Sequence, residues 1–516
     1  MNVSIKNFLR GPYTLWNDSE LQTYSSSIPH KWLPGDMVNA ADGAVLERRS
    51  KHAAIVGIVD FLSRTGYGFT SRNVPLYMFH PLDPAYPPMI VASKTRPPNN
   101  KIAIVSFEHW ESKWPRGGIQ RTLGDVGDPE TEKAALLLRA GARPAAATVA
   151  ALSPSGPKEP WDRVINIDPA GCIDVDDVLC WKRLDDHTTV FGIAIADASA
   201  CVSPESELDA AAAALGQTIY VSGLVHTPML PTSISSESAS LRADGVPRPV
   251  LALLFHVCDG AVSSVEWKQM AVVVDKAYTY DSVYGDMDTC EKIREFMGAL
   301  GHAEETDSHR WIEIAMLEYN RRAAEILVGG GGLFRNHAGR PLAEWVALAE
   351  STGVKELAWF GSASGMYETE SKGHFGLNLP HYCHASSPLR RYADLVNQRA
   401  LKRTLFGGDG GEVVNAALAA HLNERGRALK ALDRDLWFLD HFRTDTLCEA
   451  VGYIVEMERE DGTYKVYVPE WKRKVRAKHK CGVLEGVGMG QRVTVCAFTD
   501  LRATSWDSRI ICNISA

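Results

Sequence analysis

Residues 167–178 read IDPAGCIDVDDV and place Asp168, Asp174, Asp176 and Asp177 directly after the apolar, strand-like segment Val164–Ile167. Like charges so close repel one another, so a fold that gathers them must bring something positive among them. Carboxylates without histidine or thiolate partners suit hard divalent cations, Mg2+ or Mn2+. An EF-hand does not fit, because a loop begun at Asp174 puts Leu179 where glycine is required and Asp185 where glutamate is required. A solvated acidic turn is the alternative, since aspartate is common in turns. Metal-bound carboxylates are well suited to displacement at phosphorus, where two ions about 3.5–4 Å apart activate water and stabilise the leaving oxygen. Such a centre also calls for a cation on the phosphate, and the planar fork of arginine suits that role.

The rest of the chain predicts a mixed α/β protein. Its 516 residues allow about three domains. Residues 1–155 read as β-rich, with apolar stretches at Ala53–Phe61 and Lys101–Phe107 broken by Gly, Pro and Asn clusters, and a helix at Glu130–Ala140. The stretch 145–160 turns rich in Pro, Ser and Gly and reads as a linker. Residues 156–445 open on strands, Val164–Ile167 and Val190–Ile195, and continue into helices at Trp311–Val328 and Arg390–Leu405. In the first helix Ile312, Ala315, Met316, Tyr319 and Ala323 recur at helical spacing, which predicts a buried face, and the glycines at 329–332 stop it. Residues 446–516 return to short strands at Gly452–Met457, Thr463–Val468 and Arg492–Phe498, the size of a small OB barrel.

Net charge, at −8, argues mildly against an exterior built to grip duplex nucleic acid, but leaves room for a locally basic channel. The ten cysteines form no C-x-x-C pair, which favours free buried thiols in a reducing compartment. The start MNVSIKNFLRGPYTLW lacks a secretory pattern, and no run of roughly 18 apolar residues occurs. An intracellular, cytoplasmic protein without a membrane span is expected.

The acidic run resembles the opening motif of the catalytic (RNB) domain of ribonuclease II, ribonuclease R and the catalytic exosome subunit. The similarity continues in order through Ile195–Ser199 (IADAS), Tyr220, Pro228–Pro231 (PMLP), Ser240–Arg242 (SLR), Tyr278–Val283 (YTYDSV), Glu313–Asn320 (EIAMLEYN), Gly373–Leu377 (GHFGL) and Ser386–Arg399 (SSPLRRYADLVNQR). The resemblance implies a central RNB domain flanked by OB-like barrels, cold-shock-like before it and S1-type after it. It implies a processive 3′-to-5′ exoribonuclease that hydrolyses single-stranded RNA to nucleoside 5′-monophosphates with Mg2+, Mn2+ being a possible substitute. A monomer without an obligate protein partner is expected.

Roles follow residue by residue from the same resemblance. Asp168, Asp174, Asp176 and Asp177 would be metal ligands, with Asp176 and Arg390 catalytic and Arg390 on the scissile phosphate. Arg391 is the second candidate for RNA contact. Tyr220 matches a position that stacks on a base further from the cut, and Tyr280 and Glu313 match positions near the terminal ribose, where a 2′-OH can be read. Tyr220 and Tyr280 could instead be core aromatics and Glu313 a solvated helix residue. Arg390 or Arg391 could pair with Asp394 on one helix. The stretch between Tyr280 and Glu313 is shorter than in many relatives, and the aromatic that stacks there on the 3′-terminal base has no match. The basic run Trp471–Lys480, with Lys472, Arg473 and Lys474 at its start, suggests a phosphate-contacting loop, with a solvated edge as the alternative. Two rival functions remain at this level: a non-catalytic RNA-binding protein on the same fold, and a metal-dependent DNA nuclease.

Overall fold

The computed structural model describes residues 1–5, 8, 13–16, 21–24, 31–39, 41–48, 53–142, 160–339, 342–360, 362, 364–407, 414–442, 447–458, 462–479, 488–500 and 503–515. The expected linker, apart from Pro160, and the expected segment boundaries at 155 and 445 lie outside these residues, as does Lys480. The chain divides into two compact units. One comprises Met1–Ala142, Pro341–Gly361 and Ala428–Ala516, the other Arg143–Arg340 and Ser362–Arg427.

The first unit opens on a five-stranded sheet of β1 (Asn2–Ile5), β2 (Tyr13–Trp16), β3 (Leu21–Tyr24), β4 (Met37–Val38) and β5 (Val45–Glu47), in the order β3-β2-β1-β4-β5. A closed barrel follows, built from β6 (Ile55–Asp60), β7 (Leu76–Pro81), β8 (Met89–Ala92), β9 (Lys101–His109) and β10 (Arg116–Asp125). Its strands are antiparallel except β8 and β10, which run parallel. Gly57 permits the closure: a Cβ there would sit 2.3 Å from the His80 carbonyl oxygen and 2.6 Å from the Phe79 ring. Helix α1 (Pro129–Arg139) starts at Asp128, whose carboxylate accepts from Thr131 N, and carries proline in its first turn.

The second unit is built on a six-stranded sheet. Its strands are β11 (Arg163–Ile167), β12 (Asp177–Arg183), β13 (Thr188–Ala196), β16 (Arg248–Cys258), β17 (Ala261–Val272) and β18 (Lys276–Tyr278), with helix α2 (Glu207–Leu215) and the hairpin β14 (Ile219–Val221) and β15 (Leu224–Thr227) inserted after β13. The order is β17-β16-β13-β12-β11-β18, and only the β11–β18 pair is parallel. Central β13 is apolar on both faces, as a strand covered on two sides must be. Gly192 in it lies where a Cβ would meet Cys180 Sγ at 2.5 Å. Helices α3 (Met287–Ala299) and α4 (Ser308–Gly330) cover one face, where Phe296 stacks on Phe191 with ring centroids 4.9 Å apart. In α4 the expected stripe is buried at Ile312, Ala315, Tyr319 and Ala323 and half-buried at Met316, and the helix ends on Gly331 at φ +78°.

Two short strands, β19 (Phe334–Asn336) and β20 (Met366–Glu368), pair across an excursion that carries α5 (Ala343–Thr352). Helix α6 (Tyr392–Phe406) then covers the other face of the large sheet through Tyr392, Leu395 and Val396. It begins two residues later than the sequence predicts. Arg391 is extended, at φ −131° and ψ 125°, because the two arginines are held in a loop by carboxylates described below. Helix α7 (Ala416–His441) leads to the second barrel, in the first unit: β21 (Cys448–Glu458), β22 (Thr463–Val468), β23 (Arg473–His479), β24 (Arg492–Thr499) and β25 (Ile510–Ser515). It closes in the order β21-β22-β23-β25-β24, again with the third and fifth strands parallel, the pattern of an OB barrel. The protein is therefore mixed α/β with a central α/β domain and OB-type barrels.

Candidate active site

The acidic run spans the turn between the first two strands of the large sheet. Asp168 leaves β11 with its amide donating to Tyr278 O at 3.1 Å, and Asp177 opens β12. Between them the loop is pinned from the Ser240–Arg242 block. Ser240 Oγ donates to Ile173 O at 2.8 Å and accepts from Val175 N at 3.0 Å, while Leu241 N donates to Val175 O at 3.0 Å. Behind this block Arg248, nearly fully buried, grips Asp244 through both Nη atoms at 2.7 Å each. That fork holds the Asp244 carboxyl down at about 2, with the Arg248 hydrogen bond the largest cause. A depressed carboxyl stabilises the fold above its ordinary range and stops doing so as pH falls through the folded value. Wild type should therefore exceed Asp244→Asn in urea stability by on the order of 1 kcal/mol near neutrality. The gap should close between about pH 4 and pH 2. A gap unchanged down to pH 2 would remove Asp244 as the lock behind the acidic loop.

Burial dominates the electrostatics of the four aspartates. Asp174, Asp176 and Asp177 are buried and Asp168 is half-buried. Burial pushes Asp168 up to about 6 against the pull of Arg390, and Asp176 up to about 7 against Arg390 and the Leu389 amide. Asp177 is raised well above the carboxylate range by burial and by its neighbours Asp168 and Asp176. Asp168 Oδ2 is buried without a hydrogen-bond partner. Among the described residues no three Asp, Glu, His or Cys side chains already converge as a ligand set. The donor set is nevertheless all carboxylate oxygen, with one orphaned buried oxygen and charges that burial opposes. A hard divalent cation would relieve all of this, so the residues fit one.

The SSPLRRYADL loop supplies the positive partner and separates its two arginines. Leu389 N donates to Asp176 Oδ1 at 2.8 Å, and Arg390 Nε donates to Asp176 Oδ2 at 3.0 Å. Arg390 Nη2 donates to Ser387 Oγ at 3.1 Å, yet the side chain stays 44% exposed, so the guanidinium can still meet an anion. Arg391 Nη2 instead donates at 2.7 Å to Asp394, which is fully buried and also accepts from Ser387 N. The pairing with Asp394 thus falls to Arg391, which holds the loop, and Arg390 is the arginine presented at the carboxylates.

The remaining expected site residues divide. Tyr220 is not remote from the acids: its hydroxyl donates to Asp174 Oδ2 at 2.6 Å, while the ring is 37% exposed. Tyr280 is half-buried and stacks on His309 with centroids 3.8 Å apart and an 11° tilt. Burial first, then the charges of Asp168 and Asp177, push its hydroxyl up. Glu313 is exposed and paired with Arg310 one turn earlier at 2.5 Å. In the basic run, Arg473 is tied to Asp433 at 2.9 Å and lies over Trp437, and Lys474 lies over Phe360. Arg473 therefore braces the barrel. Tyr467, on the strand beside it, packs under Trp345 and Leu357 of the α5 excursion rather than in the barrel core.

Sequence reading passed over His309, whose ring partner lies 29 residues earlier in the chain. It also passed over the β6–β7 loop of the first barrel, where Arg64, Phe69 and Arg72 are exposed beside Tyr67. Interleaved basic and aromatic residues in an OB loop were the available signal.

The RNB domain model matches residues 162–292 and 288–407, and the model of the Dis3-like cold-shock domain 2 matches residues 76–141. Human exosome complex exonuclease RRP44 is 25% identical over 462 residues, covering 69% of this chain and 48% of that protein. The chain spans about half the length of the curated relatives it matches. The structure of apo Mycoplasma genitalium RNase R superposes with a TM-score of 0.75 at 17% identity, covering 99% of this chain and 100% of that one. Yeast Ssd1, a pseudonuclease, superposes with a TM-score of 0.63 at 15% identity, covering 96% and 82%. These two likenesses concern the fold. Together with the collinear motifs, the two domain matches identify the chain as a member of the ribonuclease II and ribonuclease R (RNB) family.

Proposed function

We propose that this protein is a processive 3′-to-5′ exoribonuclease that hydrolyses single-stranded RNA to nucleoside 5′-monophosphates with Mg2+, for which Mn2+ can substitute. One observation carries the reading: a part-exposed arginine is locked by Nε to a buried member of a four-carboxylate cluster. Asp168, Asp174, Asp176 and Asp177 would hold the cation, which when bound activates water and steadies charge on the phosphate. Arg390 binds the phosphate oxygens with the guanidinium edge it does not spend on Asp176. Tyr220 and Tyr280 offer ring faces to bases, and Tyr280 with Glu313 reads the terminal ribose. Arg391 acts through the loop it fixes.

We further propose three functional segments: residues 1–155 as a cold-shock-like RNA-binding region, 156–445 as the catalytic domain and 446–516 as an S1-type RNA-binding domain. We also propose a cytoplasmic monomer without an obligate partner; no disulfide joins the described cysteines, which accords with a reducing compartment. No helix among the described residues is long and apolar enough to cross a membrane.

A time course on 5′-labelled single-stranded RNA, with Mg2+ or with EDTA, tests the reading. Progressive shortening that EDTA stops and a 3′-phosphate blocks is expected, with DNA of the same sequence resistant. Cutting of circular RNA would overturn the exonucleolytic polarity. Binding without shortening would favour the first rival, a non-catalytic RNA-binding protein on the same fold.

The basic run gives a second test. Lys472, Lys474 and Lys478 are exposed, whereas Arg473 is engaged with Asp433 and Trp437. Replacing the three lysines with alanine should weaken long RNA more than short RNA. It should flatten log affinity against log salt by about 0.7 per lost phosphate contact. Arg473→Ala should instead lower the melting temperature. Equal losses at both lengths would place the lysines elsewhere than on an outer RNA path.

A further inference from the structure

The 2.6 Å bond from Tyr220 to Asp174 has the length of a charge-assisted O–H···O⁻ contact. Asp174 Oδ1 has Cys172 Sγ at 3.7 Å, a weak donor, so Tyr220 is its strong side-chain partner among the described residues. The position of the hydroxyl is not left to one flexible side chain. Tyr220 lies on β14, and the chain leading into it is laced to the arginine loop. Thr218 N donates to Arg390 O at 2.9 Å, Gln217 bridges to Arg391, and Tyr392 N donates to Gly216 O at 2.9 Å. Thr218 Oγ1 also accepts from Met229 N at 3.0 Å, which closes the base of the β14–β15 hairpin. The arginine loop therefore reaches two acids. It holds Asp176 directly, through Leu389 N and Arg390 Nε, and Asp174 indirectly, through the strand it fixes and the Tyr220 hydroxyl at the end of it.

We infer that Tyr220 is a positioning residue for the carboxylate centre: its hydroxyl aims Asp174 at the divalent cation while its exposed ring remains available to a base. The inference rests on the metal-dependent reading above and deepens it. It also explains why a stacking tyrosine, rather than phenylalanine or tryptophan, suits this position. Stacking needs only the ring, whereas orienting a carboxylate needs the hydroxyl. Outer hydrogen bonds that orient metal ligands typically matter by about 10–100-fold in affinity or activity.

Mn2+ binding to the full chain without RNA, followed by electron paramagnetic resonance of the free ion, is compared for wild type, Tyr220→Phe, Tyr220→Ala and Asp174→Asn. Tyr220→Phe should weaken Mn2+ binding by about 10–100-fold. Its affinity for single-stranded RNA in EDTA should remain close to wild type, because the ring is kept. Tyr220→Ala should weaken both. Raising Mn2+ should restore RNA shortening to Tyr220→Phe but not to Asp174→Asn. Wild-type Mn2+ affinity in Tyr220→Phe, with Asp174→Asn weakened, overturns the positioning role and leaves the metal reading standing. Wild-type Mn2+ affinity in Asp174→Asn as well removes the metal reading itself.

Discussion

Asp176→Asn is expected to abolish RNA shortening while leaving RNA binding largely intact. The side chain is 2% exposed and both of its oxygens are in use, Oδ1 by Leu389 N and Oδ2 by Arg390 Nε. Asparagine fills the same volume, and its carbonyl can still accept from Leu389 N. Its amide NH2 then faces the Arg390 Nε–H, donor against donor, and the arginine is released. The substitution thus removes a negative charge from the centre and unseats the phosphate-binding group in one step. Each loss alone is worth about 10²–10³ in rate, so a fall on the order of 10³ or more in single-turnover rate is expected. Affinity rests mainly on stacking and phosphate contacts spread along the RNA, of which this change disturbs only the one made by Arg390. The fold should tolerate it, since burial already opposes the Asp176 charge. Single-turnover rates on labelled RNA, beside equilibrium binding of the same RNA, provide the check. A wild-type rate would remove both the carboxylate centre and its link to Arg390.

What could be read in advance was local. The strand expected at Lys101–Phe107 and the helix expected at Trp311–Val328 rest on patterns that act within a few residues, an apolar stretch bounded by turn residues in one and a helical stripe with a glycine stop in the other, and they run as Lys101–His109 and Ser308–Gly330. The acidic cluster was legible because four charges within a short stretch pose a problem any fold must answer. Partner choice was not legible. That Arg391 takes Asp394 while Arg390 takes Asp176 depends on a loop conformation that delays α6, and both arginines satisfy the same spacing rule in sequence. Tyr220 was recognisable as a motif residue, but its bond to Asp174 spans 46 residues and depends on how the hairpin is laced to the arginine loop. Arg473 looked like a phosphate ligand because a basic run carries no mark of which member faces Trp437 and Asp433. The parallel pairing of β18 with β11, which puts Tyr278 and hence Tyr280 at the acidic turn, is likewise a choice of sheet order that strand patterns do not encode.

Arg390→Lys is expected to slow catalysis by about 10²–10³-fold although the charge is kept. Arg390 serves three partners from one rigid plane: Nε on Asp176, Nη2 on Ser387 Oγ and an exposed edge for the phosphate. A lysine ammonium is a single point that can satisfy Asp176 or reach the phosphate, but cannot hold both in fixed relation. RNA affinity should fall far less than rate, because a positive charge remains near the same place. Arg391 should behave in the opposite way. It pairs with fully buried Asp394, and Arg391→Ala leaves that carboxylate uncompensated, which should cost about 3 kcal/mol of stability. Arg391→Lys, which keeps a donor for Asp394, should recover much of that loss and lower the rate less than Arg390→Lys does. Single-turnover rates and urea melts of the three variants separate the roles. An unchanged rate in Arg390→Lys combined with a slow but stable Arg391→Lys would exchange the assignments of the two arginines.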